Sequence, residues 1–129
     1  MKKQKTLAKL KKDAQKVFNE YIRKRDSGLP CISCSQFKED YDAGHYFHVG
    51  HYDGLRFDED NCHAECVGCN RFNDSHLIGY THNLEIKLGK KKYSALIRRA
   101  KNYKKNGYKW SRSELTELIE KYKRKIKEL

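Results

Sequence analysis

Apolar positions recur at helical spacing at both ends of this chain and lose that spacing in its middle. Over residues 4–25, Leu7, Leu10, Ala14, Val17, Phe18, Tyr21 and Ile22 fall on one face with lysines between them, which predicts an amphipathic helix. Ser27-Gly28-Leu29-Pro30 ends it. In the middle, Tyr46, Phe47 and Val49 suit a short strand, Gly50 and Asp53-Gly54 suit turns, and residues 55–57 suit a second strand. From about Asn70 the helical pattern returns, with a stop at Gly89. A further helix is expected over 92–106, striped by Tyr93, Leu96, Ile97, Ala100 and Tyr103 and ended by Asn106-Gly107. The last covers 113–128, striped by Leu115, Leu118, Ile119, Tyr122 and Ile126, with Ser111 and Glu114 spaced for a capping box. The pattern predicts one α+β domain of 129 residues: a basic N-terminal helix over 1–28, a core over 29–80 and basic C-terminal helices over 81–129.

Charge sharpens that division. Residues 1–30 carry a net +7, residues 31–79 a net −6 and residues 80–129 a net +11, which together give the formal +12. Basic arms suit a polyanion such as DNA, and an acidic centre suits a bound cation. Single lysine runs are equally well read as solvated helix faces; the segregation is what points to a partner. The mean hydropathy of −1.02 leaves little apolar material for a core, so a metal staple would help. No stretch approaches a membrane span, and the basic N-terminus lacks an apolar leader segment, so a cytoplasmic protein is expected.

In that compartment five cysteines suggest a metal rather than disulfides. Cys31-Ile-Ser-Cys34 and Cys66-Val-Gly-Cys69 are two C-x2-C pairs, each able to turn two thiolates onto one tetrahedral Zn²⁺. Four thiolates leave no open coordination position, so this zinc is structural. Cys62 is left over, as a small packed residue or an alternate ligand.

Between the pairs stand Asp42-Ala-Gly-His45 and Asp60-Asn61, and Asn70 directly follows the last cysteine. The order His45…Asn61…Asn70, in register with the cysteine pairs, resembles the HNH (ββα-metal) nuclease superfamily. Its Asn after the fourth cysteine resembles phage junction resolvases of the endonuclease VII type. The segments PCISC, DAGHY, LRFDEDN and CVGCNR resemble the lambdoid phage NinG (Rap) recombination proteins, over residues 12–90 and most specifically over 30–71. The resemblance implies a zinc-stapled ββα-metal (His-Me finger) core. It also implies a structure-specific, phage-encoded endonuclease acting on branched recombination intermediates such as Holliday junctions and D-loops.

The residues support that chemistry. A neutral imidazole at His45 is a candidate general base. Asn70 offers a hard oxygen to Mg²⁺ or Mn²⁺, and Asn61 is expected to orient the His45 ring through a hydrogen bond. Many HNH enzymes carry a metal-binding Asp or His directly before the base; here that position is Gly44. Asp42, about 6.6 Å back along the same strand face, is the candidate second ligand, with Asp74 on the face of Asn70 as the alternative. Arg56 and Arg71 are candidate phosphate clamps, Arg56 alternatively an ion pair with Asp58–Asp60. Lys90, Lys91, Lys92 and His48 are further candidate DNA contacts. His63 is expected to pack on the zinc knuckle, and His51, His76 and His82 to lie on the surface. Resolving a four-way junction needs two active sites, hence a homodimer, and other recombination proteins are candidate partners. The competing readings are a zinc-stapled DNA-binding module without catalysis and a recombination scaffold; neither needs His45, Asn61 and Asn70.

Overall fold

The computed structural model describes residues 3–129. Helix α1, Leu7–Arg25, is capped by Thr6, whose hydroxyl accepts from the Lys9 N–H at 3.1 Å. Its buried stripe is Leu10, Ala14, Phe18, Tyr21 and Ile22. It packs against α4, Arg112–Lys127, through Leu115 and Tyr122. The expected capping box is present there: Ser111 and Glu114 each bond the other's backbone N–H. Phe18 is fully buried, with its ring 5.0 Å from Tyr122 and 5.8 Å from Phe57, both edge-on.

The two strands differ from the expected ones. β1 is Tyr41–His45 and β2 is Cys62–Cys66, paired antiparallel with Tyr41 opposite Cys66 and His45 opposite Cys62. The aromatic run 46–49 leaves the sheet after His45, and the stretch 55–57 expected as a second strand is instead the end of one 3₁₀ turn, Asp53–Leu55, and the turn leading to another, Glu59–Asn61. The physical reason is tertiary packing: Tyr46, Phe47 and Tyr52 fold onto one another and onto the core formed by Leu55, Tyr80 and Leu84. The first cysteine turn docks on the free edge of β2, with the Ile32 N–H donating to the Ala64 carbonyl at 3.1 Å.

β2 runs directly into α2, Val67–Phe72, and then α3, His76–Asn106. The stop expected at Gly89 is a kink: its φ of +80° breaks the helical path, and the helix resumes beyond it. Asp26, at the end of α1, ties three elements together. Its carboxylate accepts from the Arg25 guanidinium and from the Ala64 N–H at 2.9 Å, and Lys87 of α3 lies 3.2 Å away. Burial alone would raise its pKa, but these partners hold it down at about 2. Among the described residues no helix is long and apolar enough to cross a membrane.

Candidate active site and metal centre

The Sγ atoms of Cys31, Cys34, Cys66 and Cys69 all lie within 4.8 Å of one another, with Cys34 and Cys66 at 4.0 Å. A tetrahedral ion with bonds of about 2.3 Å to sulfur would space its ligands by a little under 4 Å, so the donor set fits Zn²⁺. Backbone N–H groups aim at the sulfurs: Ser33, Cys34 and Cys66 at Cys31, and Cys69 at Cys66, over 3.2–3.5 Å. Such bonds stabilise thiolate rather than thiol. Cys62 stands apart from the cluster, fully buried in the core against α1.

His45, at the end of β1, lines a cavity of about 390 Å³ together with Ala43, Tyr46, His48, Val49, Asn70, His76 and Leu77. Its ring stacks on Phe18, centroids 6.4 Å apart, and its Nε2 lies 2.9 Å from the Arg56 carbonyl. A carbonyl only accepts, so Nε2 carries the proton and Nδ1 is left with its lone pair. Burial pushes the His45 pKa below the ordinary imidazole value; the bond to Arg56 opposes this, and the nearby Arg56 and His48 charges add to it. The ring is therefore neutral near pH 7.

Asn70 directly follows Cys69 within α2. Its Nδ2 donates to Asp42 Oδ2 at 2.9 Å, which leaves its Oδ1 as the free donor atom. Asp42 in turn is gripped by Arg71 through two bonds of 2.9 and 2.8 Å. Burial would raise the Asp42 pKa, but Arg71 and Asn70 hold it below the usual carboxylate value. Asp42 and Arg71 line a different cleft from His45, with Arg23, Lys38 and Val67.

Asn61 is fully buried and does not bond the His45 ring. Its side chain instead accepts from the Phe47 N–H at 2.9 Å and donates to the carbonyls of Phe47 and Leu55, so it fixes the loop rather than the ring. Arg56 pairs with Asp53 at 2.6 Å and Gln15 at 3.3 Å, not with Asp58 and Asp60, which Arg99 engages. Asp74 is exposed in the turn between α2 and α3, so it does not share a helix face with Asn70. Lys90, Lys91 and Lys92 are exposed just beyond the Gly89 kink. His63 packs away from the zinc knuckle, between the Arg25 guanidinium and the Asp60 carbonyl.

Two residues escaped sequence reasoning. His76, expected on the surface, lines the His45 cavity, and its Nδ1 lies 2.6 Å from a carboxylate oxygen of Glu65, itself fully buried. Their separation of eleven positions gives no local signal; only the adjacency of Glu65 to Cys66 ties it to the site.

A small basic α+β fold with a four-cysteine cluster able to hold a metal ion, and with a histidine-lined cavity, defines the class of protein. The chain belongs to the NinG family: the family described as "Bacteriophage Lambda NinG protein" matches residues 1–129. It is similar to protein ninG of Escherichia phage 933W, 36% identical over 119 residues, which is 92% of this chain and 57% of that protein. Protein ninG of Salmonella phage P22 is 35% identical and that of Escherichia phage lambda 34%, each over 92% of this chain and 56% of the relative. The chain thus spans a little over half the length of these relatives. No solved structure matches it.

Proposed function

We propose that the chain is a zinc-stapled, metal-dependent endonuclease of the HNH (ββα-metal) class that hydrolyses phosphodiesters in branched DNA. The observation that carries this is the His45 ring: its Nε2–H is anchored on the Arg56 carbonyl, which leaves Nδ1 its lone pair, and the residue lines a cavity that Asn70 also lines. The element order β1, β2, α2, with His45 closing the first strand and Asn70 in the helix after the second, supports this reading.

In this reading His45 Nδ1 takes a proton from the attacking water. Asp42 and Arg71 hold the Asn70 amide so that Oδ1 faces the scissile phosphate. Mg²⁺ or Mn²⁺ held at Asn70 would neutralise the phosphate and stabilise the leaving 3′-oxygen. His48 accepts from the Gly50 N–H at Nδ1, so its Nε2 carries a proton suited to a phosphate oxygen. Cys31, Cys34, Cys66 and Cys69 would fill the coordination shell of a bound Zn²⁺, so the ion would fix the turn that carries Asn70 and take no part in hydrolysis.

The exposed lysines beyond Gly89 supply sequence-independent phosphate contacts. Beside the 46–52 loop, a cavity of about 480 Å³ is walled by Tyr46, Phe47 and Tyr52 and rimmed by Lys101, Lys104 and Lys105. Aromatic rings next to cations suit the unpaired bases of a junction or flap. Symmetric resolution of a four-way junction needs two such sites, hence a homodimer in the active complex.

The test is a panel of labelled Holliday junction, D-loop, flap and linear duplex, incubated with Mg²⁺, Mn²⁺ or EDTA. Metal-dependent cutting of branched substrates in preference to duplex is expected. Tight binding of the same substrates without cutting under any metal would favour the non-catalytic DNA-binding module.

A further inference from the structure

Glu65 sits on β2 between the cysteine cluster and the His45 cavity, and its side chain is fully buried. Its Oε2 accepts from the Ser33 hydroxyl and from His76 Nδ1. Its Oε1 is buried with no hydrogen-bond partner among the described residues. That oxygen lies against Gly44, where any Cβ would overlap it. The glycine directly before the base is thus explained: the Glu65 carboxylate occupies the space a side chain at 44 would need.

The same carboxylate sets the state of His76. A carboxylate only accepts, so His76 donates to it from Nδ1, and Nε2 is the nitrogen left to meet a ligand on a ring that lines the cavity. An imidazole whose far nitrogen donates to a carboxylate is the usual arrangement for a metal-ligating histidine, because the pair fixes the ring and raises its basicity. The three imidazoles of the cavity therefore differ in kind. His45 offers Nδ1, anchored through a backbone carbonyl; His48 offers an N–H; His76 offers Nε2, backed by a negative charge. Asp42, by contrast, has its carboxylate taken up by Arg71 and Asn70.

We propose that His76, oriented by Glu65, is a ligand for a divalent cation in the His45 cavity alongside Asn70, supplying the donor that Gly44 cannot. The biological use of this site rests on the nuclease reading; the site itself does not. One imidazole nitrogen and one amide oxygen favour Mn²⁺ over Mg²⁺, which prefers oxygen alone.

The experiment titrates Mn²⁺ alone, without DNA, into the zinc-loaded protein and follows binding and nitrogen coupling by electron spin-echo spectroscopy. Wild type, His76→Ala, Glu65→Gln and, as a control, His82→Ala, an exposed α3 histidine outside the cavity, are compared, with zinc content checking that each retains its fold. Wild type is expected to bind one Mn²⁺ with imidazole nitrogen coupling. His76→Ala loses the coupling and binds at least about tenfold more weakly, Glu65→Gln binds roughly 10–100-fold more weakly, and His82→Ala matches wild type. Mn²⁺ bound by wild type without nitrogen coupling, or unchanged affinity and coupling in His76→Ala, overturns the assignment. The two readings fail separately. A His76-dependent Mn²⁺ site in a protein that cuts no DNA removes the nuclease and keeps the site, while normal cutting with His76-independent Mn²⁺ removes the site and keeps the nuclease.

Discussion

The ring of His45 is held by the backbone of Arg56: Nε2–H donates to that carbonyl at 2.9 Å, while the Arg56 guanidinium turns away to Asp53. The His45 ring is thus positioned by a loop, and the loop is fixed from inside by Asn61. Asn61→Ala should leave the Phe47 N–H and the Phe47 and Leu55 carbonyls unpaired in a buried setting. A loss of about 2–3 kcal/mol in urea denaturation is expected. The cleavage rate should fall too, though zinc content holds. A variant as stable as wild type would mean that the loop does not depend on this side chain.

Zinc removal should unfold the centre of the molecule, because both cysteine turns, β2 and the start of α2 converge on the four sulfurs. Metal analysis should find one Zn²⁺ per chain, and Cys66→Ser or strong chelation should abolish the cooperative thermal transition. A chelated protein with an unchanged melting curve would contradict a structural zinc.

DNA affinity should come from the arms rather than the acidic centre. Replacing Lys90, Lys91 and Lys92 with Glu should weaken binding to branched and linear DNA alike and flatten the dependence of log K on log salt. Unchanged binding by this triple variant would move the interface elsewhere.

Buried His63 gives stability a pH dependence. Burial pushes its pKa down to about 3, so the folded state keeps it neutral while the unfolded chain protonates it near 6.5. Its stabilising contribution is present above the unfolded value and is lost as pH falls from there towards the folded one. Between pH 7.5 and 5.5 this amounts to about 1 kcal/mol. Urea midpoints over that range should fall less in His63→Gln than in wild type. Parallel slopes would show that His63 does not carry the effect.

The helices and the cysteine cluster were legible because their signals are local: a 3.6-residue stripe, a capping box, two C-x2-C turns. The register of His45 and Asn70 with those turns paired the two in sequence, and the structure brings both to one cavity. The strands were not. Tyr41-Asp-Ala-Gly-His45 and Cys62-His-Ala-Glu-Cys66 have little of the β-branched character of strands, and what pairs them is the cysteine cluster at one end and the core at the other. The Glu65–His76 contact, and the choice of Arg56's carbonyl over its guanidinium, depend on how α3 and the 46–61 loop fold back, which no short-range pattern encodes.

The central claim is that His45 is the general base. Its most direct test is single-turnover cleavage of a branched substrate, with saturating Mn²⁺, by wild type, His45→Ala and Asn70→Ala across pH. His45→Ala should be slower by roughly 10²–10⁴-fold, with zinc content and DNA affinity unchanged. Asn70→Ala should recover partly as Mn²⁺ is raised. The wild-type rate should climb with pH through a midpoint below the ordinary imidazole value of 6.5 and then level off, since only unprotonated His45 acts and its pKa is lowered. Cleavage by His45→Ala at the wild-type rate, with the same pH profile, would contradict the account.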